Sequence, residues 1–304
     1  MLSSARANDG EEWQEGDREN AGEQRFYGRG ARAAAIPLII DMQAAIATMK
    51  VPMLVKNGLW TAAVGIAVAL LVLQTPATLH AGPPYVTDDP EPVETGHWEF
   101  YLATQHALTR SFASGTAPHV EVNYGVLPGL QLHVIAPLAY AHRNHETTFY
   151  GAGDVELGAK FRFVDEGPWT PMVGTFPMFE LPVGNASKGL GTGHLHVLVP
   201  LWLQKSFGPW TTYGGGGYWR NPGADNRDFW YLGWLIQRRL TEGAALGTEV
   251  FYTTPDQVGA KANLRFNVGL VLDLSPHHHV LSSAGRGLVG DCLFEGYLAY
   301  QLTL

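Results

Sequence analysis

Apolar and polar residues alternate with almost no slip through the last third of the chain. From 261 to 272 the even positions carry Ala262, Leu264, Phe266, Val268, Leu270 and Leu272, while the odd ones include Lys261, Asn263, Arg265 and Asn267. A period of two sends successive side chains to opposite faces of a strand. The same rhythm closes the chain, with Leu298, Tyr300, Leu302 and Leu304 on one face and Ala299, Gln301 and Thr303 on the other. An exported protein whose last strand ends on an apolar side chain points to an outer-membrane β-barrel.

About a dozen such strands can be placed along residues 97–304. The clearest runs from Asp154 to Phe163: Val155, Leu157, Ala159, Phe161 and Phe163 share one face, and Asp154, Glu156, Gly158, Lys160 and Arg162 the other. Others fall near 97–107, 119–126, 130–141, 171–181, 194–204, 210–219, 229–238, 245–253, 261–272, 279–286 and 292–304. Short connections such as Leu127-Pro128-Gly129 and Phe207-Gly208-Pro209 alternate with longer polar ones at 109–117, 142–153, 182–193 and 221–228. An up-and-down membrane barrel has short periplasmic turns and long outward loops; a Greek-key sandwich has no reason to alternate them.

Charge placement agrees. A Lys or Arg facing lipid at mid-depth costs about 2–4 kcal/mol. In the clean strands the charges Glu99, Glu121, Asp154, Glu156, Lys160, Arg162, Glu249, Lys261 and Arg265 sit in the polar phase. Together with His194 and His196 they are the expected lumen lining. Arg238 breaks the rule after Trp230, Leu232, Trp234 and Ile236, at a strand end where a long stem can snorkel. Aromatics at strand ends (Trp98, Phe100, Tyr124, Trp169, Trp210, Trp230, Tyr252) would form interfacial girdles.

The chain has 304 residues, but its start does not belong to this pattern. Leu59 to Leu73 is uncharged and apolar, preceded by Lys50 and Lys56 and followed by Leu79-His80-Ala81. That layout describes a secretory signal, 49–81, with cleavage after Ala81. The run is shorter than the roughly 20 residues that span a bilayer, which argues against an uncleaved anchor. Residues 1–48, polar and acidic, read as a mis-assigned translation start or a disordered extension. Residues 82–96, acidic and rich in proline, are expected at the periplasmic mouth before the first strand.

Mean hydropathy of −0.04 excludes a bundle of membrane helices, and one cysteine, Cys292, excludes an internal disulfide framework. A net charge of −8 argues against nucleic acid as a partner. His194 and His196 have zinc-like spacing but no third ligand, and His277, His278 and His279 read as a solvated turn. No Gly-x-Ser-x-Gly elbow exists, and Ser187 and Ser206 have no spaced partner, so catalysis is not expected. Gly189-Leu190-Gly191-Thr192-Gly193 lacks the lysine of a phosphate loop and reads as a flexible outward loop. No cofactor or metal is implied.

Several segments also carry a family resemblance. They are Thr87-Asp88-Asp89-Pro90, then Gly96-His97-Trp98-Glu99, then Gly153-Asp154 with Gly158 and Lys160 close behind. With Leu181-Pro182-Val183-Gly184 and Ser283-Ala284-Gly285-Arg286-Gly287, this resembles the outer-membrane β-barrel transporters named for the meta-cleavage pathway of phenol degradation. The resemblance covers about residues 82–304 and implies a porin-like channel, associated in some members with uptake of aromatic or other hydrophobic compounds. Leu304 stands where such barrels usually carry Phe, the common signal for the barrel-assembly machinery.

The expected protein is an all-β, up-and-down antiparallel transmembrane barrel of about 12 strands in the bacterial outer membrane. Outer-membrane lipid and a small-molecule solute are its expected partners, and no oligomeric state follows. The competing readings are a barrel with a structural or lipid-modifying role and a soluble periplasmic sandwich or lipocalin-like binder.

Overall fold

A computed structural model of the chain describes residues 82–144 and 146–304. The expected leader and the segment 1–48 lie outside the described residues. The first strands are β1 (Trp98–Leu108), β2 (Phe112–Leu127), β3 (Leu130–Arg143), β4 (Phe149–Ala152), β5 (Val155–Val164), β6 (Met172–Thr175) and β7 (Met178–Leu181). After a 3-10 turn at Ala186–Lys188 come β8 (His196–Phe207), β9 (Trp210–Arg220), β10 (Phe229–Thr241) and β11 (Ala244–Thr253). The last three are β12 (Asn263–Ser275), β13 (His278–Val289) and β14 (Phe294–Thr303).

These fourteen segments make twelve passes, because β4 with β5, and β6 with β7, are each one pass interrupted midway. β3 pairs with both halves of the first, and β8 with both halves of the second. Pro177 explains the second break, since it has no N–H to give the ladder. Its carbonyl still accepts from the Ala159 N–H, and the Thr175 hydroxyl donates to the Pro200 carbonyl at 2.6 Å. All pairings between these strands are antiparallel. β1 and β14 join from Glu99↔Thr303 to Leu108↔Phe294, which closes the sheet on itself. The up-and-down barrel of twelve antiparallel passes agrees with the sequence reading.

Strand phase then decides what faces where. Glu249 is 1% exposed and Asn267 2%, whereas Trp234 is 58% and Val268 45%. Buried polar and exposed apolar side chains alternate along every clean strand, the reverse of a water-soluble protein. Trp98 stacks on Tyr124 (4.2 Å) and on Phe100 (5.7 Å) at the end that carries the short turns and the C-terminus, the periplasmic end by barrel convention. Tyr218 and Trp230 pack edge to face at the other end (5.1 Å), so both expected girdles are populated. Arg238 keeps the outward phase near the periplasmic end, with its guanidinium over the Trp210 ring at 5.2 Å.

Three sequence expectations shift. The loop at 109–117 contracts to 109–111, because β2 starts at Phe112 and pairs with β3 as far as Phe112↔Arg143. Phe149–Ala152, expected in a loop, is recruited as β4 by the outer half of β3. Lys261 and His194, expected inside strands, lie in exposed connections outside β12 and β8. In each case period-two reading misjudges a strand end, where ladder partners rather than side-chain phase decide.

The facing assignment makes a direct prediction. Val268→Arg places a charge in the lipid band and should cost about 2–4 kcal/mol. The folded fraction in lipid vesicles, read by gel mobility of unheated samples, should fall. Asn263→Asp, in the inward phase of the same strand, should fold as the parent does.

Candidate functional site

The acidic, proline-rich segment 82–94 does not sit at the periplasmic mouth as expected. It enters the lumen there and climbs to mid-height as a strap against the inner wall. Pro83, Pro84, Pro90 and Pro92 remove donors that no strand would satisfy. The remaining backbone groups need partners, and inward wall side chains supply them.

The carboxylate of Glu249 on β11 receives the Val86 N–H on one oxygen (2.9 Å) and the Thr87 N–H on the other (2.7 Å). Asn267 on β12 donates to the first of these oxygens at 2.7 Å. Nearer the periplasmic end, Gln131 accepts the Val93 N–H at 2.9 Å, and Gln204 donates to Glu91 at 2.9 Å. The Ser283 hydroxyl donates to the Pro84 carbonyl at 2.6 Å, and the Tyr85 hydroxyl to the Gly269 carbonyl at 2.9 Å. One cation completes the anchorage. The Lys160 ammonium on β5 reaches Asp88 at 2.9 Å and Asp89 at 3.4 Å, and Thr87 and Asp89 are fully buried.

Close approach is possible because the wall is bare where the strap touches it. A Cβ added to Gly247 or Gly269 would come within 2.4 Å of the Tyr85 ring or hydroxyl, and one on Gly233 within 2.3 Å of the Thr87 hydroxyl. Glycine is thus required on β10, β11 and β12 for reasons of space. The motif residues converge here: Thr87, Asp88, Asp89 and Pro90 form the strap's turn, and Lys160 receives it. Gly158 lies under the Phe176 ring, where a Cβ would meet ring carbon at 2.6 Å. Gly96 (φ 83°) makes the turn that delivers the chain from the strap to Trp98 and Glu99 at the start of β1.

Beside the strap remains a cavity of about 560 Å³, lined by inward residues of β1, β2, β3, β5, β7, β8, β9, β10, β13 and β14. It is lined by Glu99, Glu121, Glu156, His119 and His133, with aromatic rings from Tyr101, Phe176, Trp219 and Tyr297. His133 spans the polar side, its Nδ1 facing the Asn123 side-chain oxygen at 2.6 Å and its Nε2 facing Glu156 at 2.9 Å. Asn123 donates in turn to Glu121 at 2.9 Å, and the Tyr101 hydroxyl to Glu99 at 2.8 Å. The passage reaches the periplasmic end at His277, Thr303 and Leu304.

The remaining candidate residues have structural partners. Asp154 accepts from the Gly184 N–H (2.8 Å), the Thr192 N–H (2.6 Å) and the Thr192 hydroxyl (2.8 Å), pinning the 182–193 loop. That loop, expected to be a free outward one, carries Leu190 against the inward-facing Ala139 and Ala141 and so narrows the outer mouth. Arg162 pairs with Asp165 at the periplasmic end (2.9 Å), Arg265 with Glu295 (3.0 Å) and His196 with Glu180 (3.2 Å). Among the described residues no group of three or more His, Cys, Asp or Glu is placed to hold a metal ion. In the outer loop 221–228, Asp228 takes the Asn221 N–H at 2.8 Å along with Arg220 and Tyr218. The Asn221 N–H contributes most to holding its carboxyl below the usual carboxylate range.

The anchoring roles of Tyr85, Gln131, Gln204 and Ser283 were not legible beforehand. The available signal was an unusual concentration of prolines and acids directly before the first strand, matched by glycines in the inward phase of β10 to β12.

No protein-family model matches the sequence, nor does any curated protein. Among solved structures the fold is similar to an outer-membrane channel from Pseudomonas putida F1, with a TM-score of 0.62 and 15% identity over 74% of this chain and 100% of that one. The KdgM porin aligns with a TM-score of 0.45 and 9% identity over 66% of this chain and 98% of that one, too distant to carry an argument. The fold is that of the outer-membrane channel barrels.

The strap's anchorage is testable through its single cation. Lys160→Met leaves the buried Asp89 without a counter-charge, a loss of about 3–5 kcal/mol. A cysteine at Thr87, slow to react with a water-soluble maleimide in the parent, should label rapidly in the Lys160→Met background. Equal rates would mean that Glu249 and the other wall groups hold the strap unaided.

Proposed function

We propose that the protein is a porin-like channel that passively admits small molecules through the passage between strap and wall. The observation that carries this reading is the cavity of about 560 Å³ that remains beside the strap and reaches the periplasmic end. A barrel kept only as a structural plug has no need to leave this space, nor to line it with ionisable side chains. Twelve strands enclose more room than eight, whose interior side chains just fill.

On this reading the chain is related to the outer-membrane transporters named for the meta-cleavage pathway of phenol degradation. Support comes from the residues of the resemblance: Thr87, Asp88, Asp89 and Lys160 are those that hold the strap in place. Aromatic or other hydrophobic compounds are then the expected solutes, and the rings of Tyr101, Phe176, Trp219 and Tyr297 offer them apolar contact.

The proposal assigns no catalysis. Serine hydroxyls that a hydrolase would activate are engaged elsewhere: Ser283 donates to the Pro84 carbonyl, Ser187 to the Asn185 side chain, and Ser206 faces Thr211. None of these pairs contains the histidine base that an activated serine needs.

Purified protein in a planar lipid bilayer should give discrete single-channel steps at neutral pH. Removing residues 82–94 should raise the step size severalfold, since the strap fills much of the lumen. A barrel that inserts, by gel mobility, yet conducts in neither form would overturn the channel reading.

A further inference from the structure

We propose that the passage selects small cations over anions, organic ammonium ions included; this deepens the channel reading and rests on it. Six carboxylates line the cavity: Glu99, Glu121 and Glu156 from the wall, and Asp88, Glu91 and Glu94 from the strap and its base. Among the described residues that line it, Lys160 is the one lysine, and there is no arginine.

The balance stays negative when each partner is counted. Lys160 is shared between Asp88 and Asp89, so this group alone keeps one excess negative charge. The hydrogen-bond donors to Glu99 and Glu121 are neutral, the Tyr101 hydroxyl and the Asn123 amide, which fix a carboxylate without cancelling it, while the His133 ring lies 3.6 Å from Glu121. Glu91 is likewise held by neutral Gln204. His133 and His279 each have an acceptor facing both nitrogens, and as imidazoliums each would offset one carboxylate. Six lining acids against Lys160, His133 and His279 leave a net charge of −3, and Asp89 and Asp273, which share two of these cations from outside the lining, can only add to it. Arg265 does not correct this, being paired with Glu295 outside the cavity lining.

A narrow, low-dielectric wall concentrates such a field, so the charge acts over the whole passage and not only at one point. Anions must cross it unaided. A cation meets both the carboxylates and the aromatic rings of Tyr101, Trp219 and Tyr297, whose quadrupoles attract positive charge. Neutral aromatic solutes are indifferent to the field, and aromatic carboxylates are disfavoured by it.

The test is the reversal potential of the full protein, isolated from membranes, in a planar bilayer under a tenfold KCl gradient at pH 8. The potential should take the sign of K⁺ permeation, with K⁺ passing severalfold more readily than Cl⁻. Replacing K⁺ by tetramethylammonium should preserve that sign, and sodium benzoate should carry no measurable benzoate current. The double variant Glu121→Gln with Glu156→Gln should bring the permeability ratio towards unity. Should that variant fail to insert, Glu99→Gln, whose carboxylate is held by Tyr101 alone among the contacts described, should lower the ratio in the same direction. A conducting protein with a reversal potential near zero or of the chloride sign overturns the inference and leaves the channel reading intact. An unchanged ratio in inserted variants overturns the assignment to these carboxylates, and absence of conductance overturns both readings.

Discussion

Hydrocarbon offers a peptide group no hydrogen-bond partner, so a sheet that crosses a bilayer must leave no free edge. The seam between the first and last strands meets this condition along its length, from Glu99↔Thr303 to Leu108↔Phe294. Everything else in the barrel is subordinate to that closure. Once the ladder is continuous, strand phase sorts side chains into a lipid face and an inner face, and Trp234 and Glu249 end on opposite sides of one wall. The breaks in the ladder are local: at Pro177 the Thr175 hydroxyl supplies a donor to the Pro200 carbonyl, and the Pro177 carbonyl still accepts from the Ala159 N–H.

Closure creates a second problem. An inner wall of polar groups must be satisfied by one another, by water or by something placed inside. This chain uses its own N-terminal strap for part of that work. Glu249, buried among strands, forms no salt bridge among the described residues; the Val86 and Thr87 amides and Asn267 answer its lone pairs instead. Lys160 is answered by Asp88 and Asp89. Both wall residues would be costly to bury without the strap, and the strap's unpaired backbone would be costly without them. The strap thus ties walls as far apart as β3, β5, β8 and β11 to β13, and the open space left beside it is lined by the rest of their inward side chains.

Most of the barrel was legible in the chain. Alternation located the strands to within a few residues, the lengths of the connections gave their direction, and the polar phase named Glu99, Glu121, Glu156, Lys160 and Glu249 as inward-facing. Misreadings concentrated at strand ends: Gly115 to Pro118 resemble a loop yet lie within β2, and Lys261 and His194 continue the alternation beyond the last ladder bond. Period two records which face a residue would take, not whether a partner strand extends far enough to hold it.

Alternating hydropathy by itself determined the strands and the two faces of each, with the charges kept to one face. A closed barrel in a bilayer and a soluble sandwich both satisfy that pattern until burial shows which face is outside. Tertiary structure alone decided what the interior charges do. Which carboxylate caps a backbone amide, which one grips Lys160 and which one faces open space depends on contacts between residues as far apart as Thr87 and Glu249. Those contacts arise from the curvature that brings opposite walls and a returning segment together, and a one-dimensional pattern carries no record of distance across the lumen.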